Sequence, residues 1–437
     1  MKQTDPLNQE VFKPGGQGDA GPKGQGAFTR YQTFIIVVIS LLQFTVILDF
    51  MVMAPLGAQL IRIMKISPSQ FGWVVSAYAF SAGIAGILAA GFADKFDRKK
   101  MLLFFYAGFI LGTFLCGIAP GYYFLLIARM VTGLFGGVLF SVNMAIVADL
   151  FPLEKRGRVM GFVQMAFAVS QVLGIPVGLF LANKYGWHMP FLLIVGVCVP
   201  VGVVVLRWMR PIDQHLQERA VQQPLAHLLR TASQRRYLWA FGATALLSTG
   251  GFLMMPYSST FLVHNVGIDE KVLPIVFVVA GFVGLFMGPL IGRLSDRIGK
   301  FRMFITGSIL ATLLVPVFSS LSITPLWEVL ILNSLLYTAV FSRMIPSQAL
   351  ISAVPDPKDR GAFMSINSSV QQLGGGIASV LGGWIIAQNA AGKLLHYNLL
   401  GWVTIGAFFG CAVMMYTVNG YIIAKAAGQG GAKTVGQ

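Results

Sequence analysis

Acidic residues are scarce in this sequence: 16 Asp and Glu stand against 32 Lys and Arg, and charged side chains of both signs make up only 11% of the 437 residues. A chain of this length with so little charge cannot present a water-facing surface all round. Cysteine is scarcer still, and Cys116, Cys198 and Cys411 each fall within an apolar run, which excludes a disulfide framework and a thiolate metal cluster. The phosphate-cradling GxxxxGK[ST] pattern is missing, so nothing supports an ATP-driven machine. His188, His215, His227, His264 and His396 are scattered without zinc-ligand spacing, and no serine stands in a nucleophile elbow. Neither an enzyme nor a metal site is expected. Residues 1–29 contain no apolar stretch to act as a signal peptide and read as a disordered polar tail.

What the chain has in abundance is long hydrophobic runs, with 56% apolar side chains overall. A window of about 20 residues, the length of a helix that crosses a bilayer, finds twelve candidates. They are 33–58, 71–93, 101–119, 123–148, 159–183 and 190–209, followed by 237–262, 272–293, 303–322, 327–353, 363–386 and 398–424. The runs are continuous, not alternating, and hydrocarbon offers no water to an open strand edge, so they are predicted as helices. The fold class is therefore all-α and integral to the membrane.

The net charge of +16 is not a nucleic-acid footprint, because it has no soluble basic face to sit on. Instead the cations gather in alternate loops, at Lys95, Arg98, Lys99 and Lys100; Lys155, Arg156 and Arg158; Arg207 to Arg236; Arg293 to Arg302; and Lys358 with Arg360. The intervening loops hold only Arg62, Lys65, Lys184, Lys271 and Lys393. This asymmetry predicts that both termini and the basic loops are cytoplasmic, in a plasma (inner) membrane with lipid as the surrounding partner.

The chain also repeats itself. AGILAAGFADKFDRKK at the end of the second span matches GLFMGPLIGRLSDRIGK at the end of the eighth, so Gly86, Ala90 and Asp94 correspond to Gly288, Gly292 and Asp296. FPLEKRGRVMG after the fourth span matches PDPKDRGAFMS after the tenth, pairing Arg156, Gly157 and Met160 with Arg360, Gly361 and Met364. Small residues four apart share one helix face and let a neighbour approach closely. The expected organisation is a tail (1–29), a six-helix bundle (30–209), a basic linker (210–236), a second six-helix bundle (237–424) and a second tail (425–437). Parallel duplication of this kind places a binding site near the membrane midplane, between the halves.

At these residues the chain resembles the major facilitator superfamily, over about residues 30–425. Gly292, Asp296, Arg297, Gly299 and Lys300 fit its loop signature, while the first copy keeps Asp94, Lys95, Arg98 and Lys99 but has Ala90 and Asp97 where glycines are usual. The resemblance implies that Asp94 latches the loop against the start of the eleventh helix, around Gly361 to Met364. A carboxylate at that positive helix end would gain about 0.3–1 kcal/mol. ARMVTGLFGG, with Arg129, Gly133, Gly136 and Gly137, and VSQVLGIPVG, with Gly174, Pro176 and Gly178, are similar to motifs of its twelve-helix drug/proton antiporter branch.

One carboxylate, Asp49, lies deep in a span, and the fourth span carries Arg129 at nearly the same depth. An isolated ion there costs at least about 2.5–3.5 kcal/mol, so Asp49 should either pair or take up a proton. Three readings stand: a proton-coupling device with Arg129, a permanent ion pair that only fixes packing, or an acid facing a wet vestibule with no role. Arg343 in the tenth span either snorkels toward the cytoplasm or faces the cavity, where it would favour an anionic or zwitterionic substrate. Gln43, Asn143, Gln164, Gln171, Asn333, Tyr337, Asn367 and Gln371 are further polar groups available to a cavity. The expectation is a secondary transporter that needs no cofactor beyond a proton gradient, exports small amphipathic molecules and works as a monomer. Uptake or amphipathic-lipid movement on the same fold, or a non-transporting receptor or scaffold, are the alternatives.

Overall fold

The computed structural model describes residues 28–90, 96–213, 224–356 and 359–434. Helices dominate, and their ends follow local chemistry. The first, α1 (Arg30–Val52), opens with a capping box in which Thr29 Oγ1 accepts from the Gln32 amide and Gln32 Oε1 accepts from the Thr29 amide. Phe28 and Thr29 thus belong to the ordered protein, two residues before the expected end of the tail.

The first pass does not run straight to residue 58. It breaks after Val52 at the turn containing Pro55, which has no N–H to continue the ladder, and resumes as α2 (Gly57–Met64). Then follow α3 (Pro68–Ala90), α4 (Arg98–Gly117) and α5 (Tyr122–Leu150). The fifth pass is composite: α6 (Leu153–Val169), one π turn (Ser170–Gly174) and α7 (Ile175–Tyr185), with Pro176 just inside α7. Pro176 cannot donate to the preceding turn, and a π bulge is a usual way to absorb that loss. The sixth pass is α8 (Met189–Trp208).

The linker holds a short helix, α9 (Pro224–Ala232), before the second half begins with α10 (Arg235–Phe252). A break at Pro256 separates α10 from α11 (Ser258–His264), repeating the break at Pro55. The remaining passes are α12 (Leu273–Ile298), α13 (Lys300–Ser319), α14 (Leu326–Ala353), α15 (Arg360–Ile385) and α16 (Tyr397–Thr434). A two-stranded hairpin, β1 (Ala387–Gln388) with β2 (Leu394–Leu395), joins the last two. Gly299, at φ +99°, makes the one-residue corner from α12 to α13, a conformation a β-carbon would strain.

Among the described residues, eleven helical segments are long and apolar enough to cross a membrane. The twelfth, α15, is 26 residues long but carries Ser, Asn, Gln and a run of glycines. It spends that polar face on protein, packing along α3 of the other half. Side chains at Gly72, Gly83, Gly376 or Gly383 would collide with the opposite helix or with Tyr257, and Ser76 Oγ donates to the Gly376 carbonyl at 2.7 Å. The second seam between halves joins the π turn to α12, where Gly281 lies against Gln171 and Val172.

With twelve alternating passes, the start of α1 and the end of α16 share one face, here the terminal face. On it the linker is pinned to the second half by a polar cluster. Asp359 receives hydrogen bonds from Tyr237 (3.0 Å) and Gln234 (3.4 Å) and pairs with His227 Nε2 at 3.1 Å. Asp356 pairs with Arg236 (2.7 Å) and Lys425 (3.1 Å), whose ammonium also donates to the Val354 and Pro355 carbonyls at the end of α14. The Lys425 hydrogen bond, with Arg236 and against some burial, holds Asp356 below the usual carboxylate range. Burial works against ionisation of Asp359, but the bonds from Tyr237, His227 and Gln234 outweigh it and leave its pKa lowered too.

A lowered folded-state pKa contributes stability that is present above the unfolded value, about 4, and is lost as pH falls through the folded value. Asp359→Asn is therefore expected to destabilise the purified protein at neutral pH by about 1–3 kcal/mol in thermal unfolding. The gap to the wild type should begin to narrow as the pH falls below about 4 and close below the lowered folded-state value; a gap that stays constant throughout acidification would contradict this account.

Candidate functional site

The α1 helix carries Asp49 about 29 Å along its axis, at 1.5 Å per residue, and α5 returns with Arg129 about 10 Å from its own start. These registers bring the two side chains together. Arg129 Nη1 donates to Asp49 Oδ2 at 2.7 Å and lies 3.5 Å from the Asp49 carbonyl. Thr113 Oγ1 of α4 donates to the other carboxylate oxygen at 3.2 Å. The guanidinium carbon sits 4.6 Å from the ring centroid of Tyr78 on α3, and Arg129 Nε has no hydrogen-bond partner among the described residues. Both charged residues are 0% exposed.

The pair is thus enclosed inside the first half, one layer behind the interface between halves. That layer is aromatic. Phe50, the neighbour of Asp49, packs on Tyr78 (5.3 Å between centroids) on one side and on Phe252 of the second half (5.6 Å) on the other. Close helix approach makes the enclosure possible, since a methyl group at Gly133 or Gly137 would collide with α3 at Tyr78 or Ala82. Gly174 and Gly178 likewise admit Leu48 and Val52 of α1, with Pro176 between them at the start of α7.

Below the pair, Asn143 Nδ2 donates to Gln43 Oε1 at 3.4 Å, a second polar bridge from α5 to α1. In the second half, Asn367 accepts from Thr244 at 2.6 Å, Asn333 is buried, Tyr337 packs near Phe341, and Gln371 is exposed. Gln171 is buried at the π turn, and the Gln164 side chain lies outside the described residues. Arg343 does not reach the terminal face: it is 3% exposed, with Nε donating to Ser308 Oγ at 3.1 Å and its guanidinium over Phe408. The snorkelling alternative is set aside by that burial.

The expected latch of Asp94 against the start of α15 falls outside the described residues, and the other loop residues can be placed one by one. Asp94 and Lys95 lie outside the described residues. Arg98 is buried and pairs with Asp149 of the same half at 3.0 Å, while Lys99 donates to the Leu206 carbonyl, so both tie helices within one bundle. Arg156 caps the end of α5 through the Phe151 and Ala148 carbonyls. Asp296 is largely exposed and pairs one turn on with Lys300 at 3.4 Å, Arg297 and Gly299 completing the same turn, and Arg360 opens α15. Gly288 and Gly292 have open space where a β-carbon would stand, against the expectation that they seat a neighbouring helix. Gly361 likewise has open space and Met364 is exposed, so this part of the terminal face offers these glycines no neighbouring helix among the described residues.

At the far face the halves are closed. Arg62 of α2 pairs with Glu270 across the interface at 2.7 Å, Asn183 donates to the Glu270 carbonyl at 2.9 Å and is itself held by Gln59, and Ser259 Oγ donates to the Ala54 carbonyl at 2.7 Å. The sequence marks Arg62 only as a loop cation and gives no role to Glu270, Thr113 or Tyr78. Opposite charges in loops otherwise poor in charge were the available signal for the first two. For a threonine and a tyrosine within apolar spans there was none.

Comparison with known proteins agrees with this architecture. Residues 39–378 and 241–430 match the family model described as Major Facilitator Superfamily. Multidrug resistance protein 2 of Bacillus subtilis is 25% identical over 86% of this chain and 92% of its own length, and the uncharacterised MFS-type transporter YceJ of the same organism is 29% identical over 60% and 67%. Among solved structures, an inward-facing, unoccupied bacterial homologue of the human lysosomal transporter Spinster superposes with a TM-score of 0.67 at 16% identity, covering 92% of this chain and 96% of that one. At that identity the likeness concerns the fold.

Two outcomes are expected from this geometry. Arg129→Leu leaves an unpaired buried carboxylate and should cost about 3–5 kcal/mol in unfolding, most of it regained when Asp49→Asn is added. An additive double mutant would show that the two groups act independently. Because all three native cysteines are buried, Ala58→Cys behind the far gate should react slowly with a membrane-impermeant maleimide and several-fold faster when Arg62→Ala is added. An unchanged rate would remove Arg62–Glu270 from the gate.

Proposed function

Because this chain belongs to the Major Facilitator Superfamily, we propose that it is a proton-coupled exporter of small amphipathic molecules, working by alternating access as a single chain. The terminal face is the cytoplasmic one in this reading, on the strength of its Lys and Arg, and the membrane is the plasma (inner) membrane. The arrangement described then corresponds to the state open to the cytoplasm. Similarity to a multidrug resistance protein favours export over uptake.

The observation that carries the reading is the enclosed Asp49–Arg129 pair and its aromatic link to the other half. While the ions touch, each compensates the other's desolvation, and Asp49 stays ionised. Rocking of the halves pulls on Phe50 through Phe252 and on the Tyr78 ring that covers Arg129. If that motion separates the pair, the carboxylate in a low-dielectric site takes up a proton, and it releases the proton when contact is restored. One charge moved across 100 mV supplies about 2.3 kcal/mol, enough for a modest accumulation ratio. No cofactor enters this cycle, and the small-molecule cargo crosses between the halves.

A second reading has its own observation: zero exposure of both ions suits a permanent packing pair. One experiment separates them. In proteoliposomes of known orientation, Asp49→Asn is expected to reduce pH-gradient-driven flux at least about tenfold while leaving cargo exchange at equal pH measurable. Wild-type response to the gradient in that variant would favour the packing role, and flux in the uptake direction would reverse the proposed sense of transport.

A further inference from the structure

The second half contains a buried cation without an acid. Arg343 stands about 26 Å along α14 from Leu326, near the middle of the membrane, and is 3% exposed. Ser308 Oγ accepts from Nε, Cys411 Sγ is a further polar neighbour, the Phe408 and Phe304 ring centroids lie 3.6 Å and 5.9 Å from the guanidinium carbon, and Nη2 has no hydrogen-bond partner among the described residues. The acids of this half are Asp269, Glu270, Asp296, Glu328, Asp356 and Asp359, all in loops or at helix ends. The ion pairs described for them lie at the two faces.

The internal repeat shows what is missing. Aligning the helix breaks at Pro55 and Pro256, a shift of 201 positions, sets Gly250 where the first half has Asp49. Gly250 is the α10 residue beside Arg343: a β-carbon there would lie 3.7 Å from Arg343 Nη1. Where the first half places a carboxylate against its arginine, the second places a hydrogen atom. A phenyl face offsets about 2 kcal/mol of the desolvation of a guanidinium, while an uncompensated ion costs several. The remaining compensation has to come from outside the half.

Gly251, the next residue of α10, is exposed with open space where its side chain would begin, and Phe252 after it touches Phe50 of the first half. Gly250 and its arginine therefore stand at the depth where the halves meet. We propose that Arg343 anchors the anionic group of an amphipathic cargo, a carboxylate received on the free Nη2 edge and carrying an apolar body that lies in the cleft. The guanidinium is suited to this, because its planar fork matches a carboxylate and its hydration is weak. The inference rests on the transporter reading and adds the chemical class of its cargo.

The test is a binding measurement, so it stands apart from proton coupling. The purified full chain in neutral detergent is titrated with 4-phenylbutyrate, with its amide and with 4-phenylbutylamine, following thermal protection. The carboxylate is expected to bind at least about tenfold more tightly than the amide or the amine. That preference should vanish in Arg343→Gln and survive in Asp49→Asn. Absence of carboxylate protection in the wild type, equal affinity for the amide, or an unchanged preference in Arg343→Gln would overturn the proposal. Should Arg343→Gln fail to fold, Gly250→Ala, which keeps the guanidinium and sets a methyl group beside it, decides: loss of the preference supports the anchor, and wild-type affinity overturns it. Loss of gradient-driven flux in Asp49→Asn has no bearing on this result, and a retained gradient response there would weaken only the coupling mechanism.

Discussion

A carboxylate and a guanidinium can share a hydrocarbon-like interior only while they touch, because each is the other's solvent. At 2.7 Å and with no exposure, Asp49 and Arg129 satisfy that condition, and because parting them would strand a buried charge the pair holds α1 and α5 in one register. Much of the first half is arranged to permit the contact. Glycines at 133 and 137 bring α5 onto α3, Gly174 and Gly178 let α1 settle against the fifth pass, and Thr113 occupies the second carboxylate oxygen. The aromatic layer of Tyr78, Phe50 and Phe252 then separates this charged interior from the other half while staying in contact with both.

The two halves are copies in helix order and in the placing of their proline breaks, yet they handle buried charge in opposite ways. The first is internally neutral. The second holds a cation over an aromatic ring beside a glycine, with its acids at the two faces. Duplication supplied the frame, and divergence at single positions, Asp49 against Gly250 foremost, gave the halves different electrical characters.

Much of this was legible in the chain itself, for physical reasons. Spanning helices announce themselves because lipid tolerates nothing else, and the spans found by window agree with the observed helices to within a few residues at most ends. Pro55 and Pro256 break their passes in two, a feature visible as prolines near span ends but swamped by the surrounding hydropathy. The shared depth of Asp49 and Arg129 could be computed from residue counts, since helical rise is constant. What they touch sideways could not: the identities of Thr113 and Tyr78 depend on helix rotation and neighbour choice. The junction of His227, Asp359, Asp356 and Lys425 joins positions up to about two hundred residues apart, with no local pattern to mark it. Gly288 and Gly292 copy the small-residue pattern of the first half but face open space, because a motif specifies a capacity for contact and the conformational state decides whether it is used.

The seam between α3 and α15 sets glycines opposite large side chains: Leu373 sits against Gly83, Phe80 against Gly376, and the Tyr257 hydroxyl against both Gly72 and Gly383. Each such pair is a knob in a socket, and sliding one helix along the other would lift the knob out and forfeit its dispersion contacts. Tilting about the sockets keeps most of those contacts. The joint between the halves is therefore shaped to pivot and to resist translation.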